Sequence, residues 1–193
     1  IVMPHTSSTR MKPITEAELR EYPKTYKYLE HFKPLLLNRK GFTSIDRHIR
    51  DEYFYALQRI GAYTFSQYKV GWKYISKEFT PCVFGSIIDP YLGERLMVPN
   101  EKIIYVGLSD EQEAYYLCGI LSSTEFRKTI HGYMMGTQIS PGIIKKLSIP
   151  KFDSSKEEHR LIGSLCKVGH RSLNEEEKVF LTDEISQVVR KSF

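Results

Sequence analysis

YKVGWKYI, residues 68 to 75, decides how the chain is read. Side chains alternate across an extended strand, so Tyr68, Val70, Trp72 and Tyr74 share one face while Lys69, Gly71, Lys73 and Ile75 share the other. The aromatic face reads as core, and Lys69 and Lys73 are expected to face solvent or phosphate. Two further runs, PCVFGSII (81–88) and EKIIYVGL (101–108), carry the same β-branched and aromatic bias. Between them DPYLGERLMVPN supplies turns at Asp89-Pro90 and Pro99-Asn100, and connections this short cannot hold a helical crossover. A curved, mainly antiparallel sheet is expected.

Helical patterns flank these strands. Thr15 and Glu18 have capping-box spacing, Pro23 should interrupt the helix they start, and a second piece spans 25–39, where Tyr28, Leu29, Phe32, Leu35 and Leu36 recur at three-and-four spacing. Pro34 kinks or restarts that piece, and Gly41 ends it. Residues 51–57 fit strand or helix, and RIGAYTF reads as a turn. Ser109 with Gln112 is expected to cap a helix whose inward stripe is Ala114, Leu117, Cys118 and Leu121, continuing toward Phe126 and Ile130. Ser140 and Pro141 start a single helical turn from which Ile143, Ile144 and Leu147 pack inward, and Pro150 closes a short strand at Ser148-Ile149. Two last helices follow, one from about Ser155 with Leu161, Ile162, Leu165 and Val168 as its stripe, the other from Asn174 with Glu177 at cap spacing. The class is α+β: a helical lead-in (1–40), a sheet-bearing part (41–153) and a C-terminal helical hairpin (154–193).

Composition narrows the function. With 41% apolar residues in 193 the chain can fill a core, and its longest nearly unbroken apolar run, AYYLCGIL, is far short of the roughly 20 residues that cross a bilayer. No membrane partner is expected. The chain starts at Ile1 without a signal-peptide pattern, which suggests a fragment of a longer protein. Cys82, Cys118 and Cys166 are odd in number and widely spaced, so neither a disulfide framework nor a zinc site is expected, and a reducing cytoplasm suits them. The net charge of +5 lies wholly in residues 1–150, which carry 20 basic and 15 acidic residues, whereas 151–193 carry eight of each. A polyanion would dock on the first part. No His-Glu-x-x-His, Gly-x-Ser-x-Gly or paired-cysteine motif occurs, the six histidines are scattered, and Gly136 and Gly142 do not make a phosphate loop. Asp89-Pro90-Tyr91 lacks the second proline with which amino-methyltransferases hold their target nitrogen, so it reads as a hairpin turn.

The order of motifs carries a resemblance. ITEAELREYPKTYKYLEHFKPLLLNR, FYALQRIGAYTFSQYKV, EAYYLCGILSSTEFRKTI and ISPGIIKKLSIPKFD, taken in turn, resemble the C-terminal target-recognition domain of adenine-specific DNA methyltransferases of type II and IIG restriction-modification systems. That domain is similar to type I specificity subunits. The matching elements are Leu36 to Arg39, Phe54 to Arg59, Lys69-Val70, Tyr116 to Ser123 and Leu147 to Pro150, with Phe54 where Trp is common and Ser122 where Asn is usual. The resemblance covers roughly residues 14–153 and implies a restriction-modification module, with its target-recognition domain at 41–153, that recognises double-stranded DNA for a methyltransferase catalytic domain of the same parent chain. No catalytic, cofactor or metal residue is expected here, and S-adenosyl-L-methionine would belong to the parent enzyme, which could also carry an endonuclease.

The DNA-binding candidates follow. Arg59 is placed by the resemblance and could read a guanine edge or two phosphate oxygens, or pair with Asp51 or Glu52. Lys69 and Lys73 come from the strand. Arg127, Lys128 and Tyr133 lead into a loop where Thr137 and Gln138 have donor-acceptor chemistry for adenine or phosphate, and Lys145 and Lys146 follow it. The alternative is a docking module whose terminal helices bind a catalytic subunit. Deleting 154–193 would then abolish partner capture and spare DNA affinity.

Overall fold

The computed structural model describes residues 2–40 and 44–192, and only the backbone of 44–46. The expected helix end at Gly41 lies outside the described residues. The chain forms two compact units, Ile1–Phe65 and Ser66–Phe193, so the units meet at 65/66 where the sequence reading had divisions at 40/41 and 153/154.

In the first unit, α1 (Glu16–Arg20) starts at the expected capping box: the Glu18 amide donates to Thr15 Oγ1 at 3.3 Å and the Thr15 amide to Glu18 Oε2 at 2.7 Å. Each proline restarts a helix, Pro23 opening α2 (Pro23–His31) and Pro34 lying in the first turn of α3 (Lys33–Leu37). The break resets the helical phase, so the spacing that joined Tyr28 to Leu35 does not hold. Both are exposed, and the core is Leu19, Tyr26, Leu29, Phe54 and Tyr55. After α4 (Ser44–Glu52) the chain is neither helix nor strand until the 3-10 turn Ala62–Phe65, yet Phe54, Tyr55 and Ala56 are buried.

In the second unit, β1 (Tyr68–Lys73) is the central strand of a three-stranded antiparallel sheet, with β2 (Cys82–Phe84) on one side. The run 81–88 splits at Gly85, where a Cβ would meet the Gln67 carbonyl oxygen at 2.6 Å. β3 (Ser86–Asp89) leaves the sheet and pairs with β4 (Gly93–Leu96), so the one expected sheet is two. The turn between them is an Asx turn: Asp89 Oδ1 accepts from the amides of Tyr91 and Leu92, both at 2.8 Å, and Gly93 takes φ +70°. β5 (Ile103–Leu108) completes the first sheet, placing Val70 between Val83 and Val106.

Helix α5 (Glu111–Ser122) is the axis of this unit. It packs on β1 and also on α8 (Glu157–Arg171), so its buried set, Ala114, Tyr116, Cys118, Gly119, Ile120 and Leu121, is wider than one stripe. Its cap is Asp110, whose Oδ1 accepts from the Glu113 amide at 2.7 Å, and not Ser109. Helix α6 (Thr124–Tyr133) brings in Ile130, and the short turn α7 (Pro141–Ile144) brings in Ile143. Ser140 makes no side-chain cap bond there, and 148–150 form no strand. On α8 the buried face is His159, Ile162, Gly163 and Cys166; Leu161 and Val168 of the expected stripe are exposed. Helix α9 (Glu175–Ser192) begins at Asn174, whose Oδ1 accepts from the Glu176 amide, and buries Leu181, Ile185 and Val189. Ile162, Cys166, Ile185 and Val189 share one core with Val70, Trp72 and Tyr116. No helix of the described residues is long and apolar enough to cross a membrane.

Candidate nucleic-acid interface

The motif elements prove to be ties in the framework. Arg39, ending the Leu36 to Arg39 element, donates from Nη2 to the carbonyls of Phe54 and Ala56, each at 2.9 Å, so it holds the Phe54 to Arg59 element directly. Burial, with Arg50 nearby, lowers its pKa from the ordinary arginine value. In the second unit the Tyr116 hydroxyl donates to the Pro150 carbonyl at 3.1 Å, joining the Tyr116 to Ser123 helix to the Leu147 to Pro150 ending. Burial pushes that phenol up to about 12, so it remains a donor at neutral pH.

Lys69 corrects the strand reading. It is wholly buried, its ammonium donates to the Ser66 carbonyl at 2.7 Å, and burial lowers its pKa. The physical reason is that β1 is central and covered on both faces, so alternation no longer separates core from solvent. Only Lys73, at the strand end, is exposed.

The other candidates divide by place. Beyond β1, the Ile139 amide donates to the Tyr74 carbonyl at 2.8 Å and the Ser76 amide to the Thr137 carbonyl at 2.9 Å, while Ile75 bridges Gln138. The loop after α6 is thereby stitched to the end of the strand that bears Lys73. Gly136, at φ +65°, makes the tight reversal between Met135 and Gln138. Lys146 Nζ lies 5.1 Å from the Tyr133 ring centroid, a cation-π contact. Lys73, Tyr133, Thr137, Gln138, Lys145 and Lys146 are thus exposed around one loop, and no carboxylate among the described residues pairs with any of these lysines. Lys77, next to Ser76, joins them and was missed because only the bridge to Thr137 places it there.

Arg127 lies elsewhere, lining a cleft with Phe79, Cys166 and His170, and Lys128 is exposed on α6. Arg59 belongs to the first unit. It is exposed, forms no ion pair with Asp51 or Glu52, and has φ +56° with its carbonyl accepting from the Tyr63 hydroxyl at 2.6 Å. The first unit also holds most of the charge surplus, with eleven Lys and Arg against seven Asp and Glu in residues 1–65.

The histidines are not idle. His5 Nε2 accepts from the Leu57 amide at 2.9 Å, and His159 Nδ1 from the Asp153 amide at 3.0 Å. Burial is the main cause lowering both pKa values from 6.5. A histidine kept neutral in the fold is protonated more readily unfolded, so its contribution is complete above pH 6.5 and is lost as pH falls below that toward the lower folded values. The urea midpoint is expected to drop between about pH 7 and about pH 5, and the drop should shrink in His5→Gln. An equal drop in that variant would contradict the role given to His5.

No protein-family model matches the sequence, and no curated protein matches it either.

Proposed function

We propose that this chain is the double-stranded DNA recognition module of an adenine-specific restriction-modification methyltransferase whose catalytic domain lies outside these residues. The observation that carries the reading is the gathering of Lys73, Tyr133, Thr137, Gln138, Lys145 and Lys146 around one strand end. Unpaired lysines beside an exposed hydroxyl and amide suit a duplex: the ammonium groups take phosphates, and Thr137 or Gln138 can bond a base edge. Backbone bonds from Tyr74, Ser76 and Ile139 hold the loop in place while its Thr137 and Gln138 side chains stay exposed, as a surface that contacts DNA requires.

Arg59 provides a test that separates reading from holding. Its left-handed backbone costs a non-glycine residue about 1–2 kcal/mol, so Arg59→Gly removes the side chain and relieves strain together. On the preferred duplex selected from a random pool, Arg59→Gly is expected to weaken binding by about 1–3 kcal/mol and to leave unrelated duplexes unaffected. Equal loss on both would make Arg59 a phosphate contact, and no loss on either would remove it from the interface.

The docking reading has its own observation. Leu173, Val179 and Phe180 are 98%, 62% and 62% exposed at the turn and first part of the helical hairpin, more apolar surface than such an end needs. Its partner would be the catalytic subunit, held by α8 and α9.

A further inference from the structure

Two of the three cysteines that sequence spacing left without partners come together in the fold. Cys118 on α5, Cys166 on α8 and His170 one turn after it place their sulfur and nitrogen atoms within 4.8 Å of one another. The two helices approach this closely because residue 119 is glycine: a Cβ there would lie 3.3 Å from Cys166 Cβ and 2.7 Å from Ile162 Cγ2. Cys118 is wholly buried. Cys166 and His170 both line a cleft of about 420 Å³, so a small molecule in it would lie beside Cys166.

The protons of His170 decide what this cluster can do. Its Nε2 accepts the Val83 amide at 2.9 Å, so the ring proton sits on Nδ1, which faces the Cys166 carbonyl at 3.2 Å and the Cys166 sulfur at 3.8 Å. A metal on Nδ1 would drive that proton to Nε2, where it would oppose the Val83 N–H; metal-bound histidines show the reverse arrangement, the second nitrogen donating to an acceptor. His170 Nδ1–H is therefore a donor that faces both the Cys166 carbonyl and the Cys166 sulfur. The two sulfur atoms lie within 4.8 Å of each other, and a bond would bring them to roughly 2 Å.

We propose that Cys118 and Cys166 are a reversible thiol-disulfide site that ties α5 to α8 when hydrogen peroxide enters the cleft. The Cys166 sulfur attacks one peroxide oxygen and loses its proton; an S–O bond forms, the O–O bond breaks, and the departing hydroxide takes that proton to become water. Cys118 sulfur then displaces hydroxide from the Cys166 sulfenic acid, its own proton leaving with that hydroxide as a second water. Two electrons pass from the thiols to the peroxide. Cys82 is solvent-accessible on β2 and takes no part.

The test uses the full chain, reduced, freed of reductant and treated with hydrogen peroxide. The intact mass should fall by two hydrogens, non-reducing peptide mapping should join the Cys118 and Cys166 peptides, the thermal midpoint should rise, and dithiothreitol should reverse all three. Cys82→Ser should behave as the parent, and Cys166→Ser should lose the link while keeping the buried emission of Trp72. Sulfinic acid on Cys166 without a link, dimers joined through Cys82, or one equivalent of zinc bound to the reduced protein would each overturn the proposal.

Discussion

Removing residues 154–193 is expected to unfold the rest of the second unit. The deletion takes Ile162, Cys166, Ile185 and Val189 out of a core they share with Val70, Trp72, Tyr116 and Ile120. It also removes the Ser186 hydroxyl that accepts from the Thr124 amide at 3.0 Å and the His170 ring that accepts from the Val83 amide. At about 1.5–3 kcal/mol for each buried apolar side chain, the loss is comparable with the roughly 5–15 kcal/mol that holds a typical domain together. Trp72 reports the outcome cleanly, because it is the only tryptophan and is 2% exposed. Its emission in the truncated chain should shift to that of solvated indole, with no cooperative urea transition. A truncated chain that keeps a buried Trp72 and unfolds cooperatively would show that α8 and α9 are an appendage. The shared core argues against a deletion that spares DNA affinity, because the helices that the docking reading needs pack in the same core as the Ile139 and Ile143 that flank the DNA-facing loop.

The second large effect distinguishes two faces of α8. Ile162 is completely buried against Gly119, and Ile162→Ala should cost about 2–5 kcal/mol, since the rigid helix pair cannot collapse fully into the space. Leu161, its neighbour in sequence, is 43% exposed, and Leu161→Ala should cost about 0.5 kcal/mol or less. Urea midpoints followed by Trp72 emission give both numbers. Comparable losses in the two variants would contradict the placement of α8.

Much of the fold was legible because its signals are local. The Thr15 box, the two restarting prolines, the Asp89 turn and the antiparallel strands all rest on contacts within a few residues or on short connections. The errors on β1 and α8 share one source, burial on more than one side. Lys69 was read as solvent-facing because alternation assumes one dry face, and β1 has two. The α8 stripe missed His159, Gly163 and Cys166, which sequence hydropathy does not flag but which a close helix contact selects. Gly85 ended one strand and began another through a backbone approach that no pattern reveals.

The site was legible in part. Thr137, Gln138, Lys145 and Lys146 are near one another in sequence, but their junction with Lys73 depends on the bridges of Ile75, Ser76 and Tyr74 to that loop, across some 60 residues of chain. Arg127 lines a separate cleft, and Arg59 falls in the other unit. Arg39, Tyr116 and Lys69 belong to the motifs that suggested DNA recognition, yet each serves the framework. A motif can thus identify a scaffold without naming its contacts.

The most direct measurement is the affinity of the full chain for double-stranded DNA as a function of salt, beside the variant in which Lys73, Lys145 and Lys146 are all Gln. Log affinity should fall linearly with log salt, and the slope of the variant should be shallower by about 0.9 for each of the three that neutralises a phosphate. No duplex binding, or binding whose slope the three substitutions leave unchanged, would contradict the account.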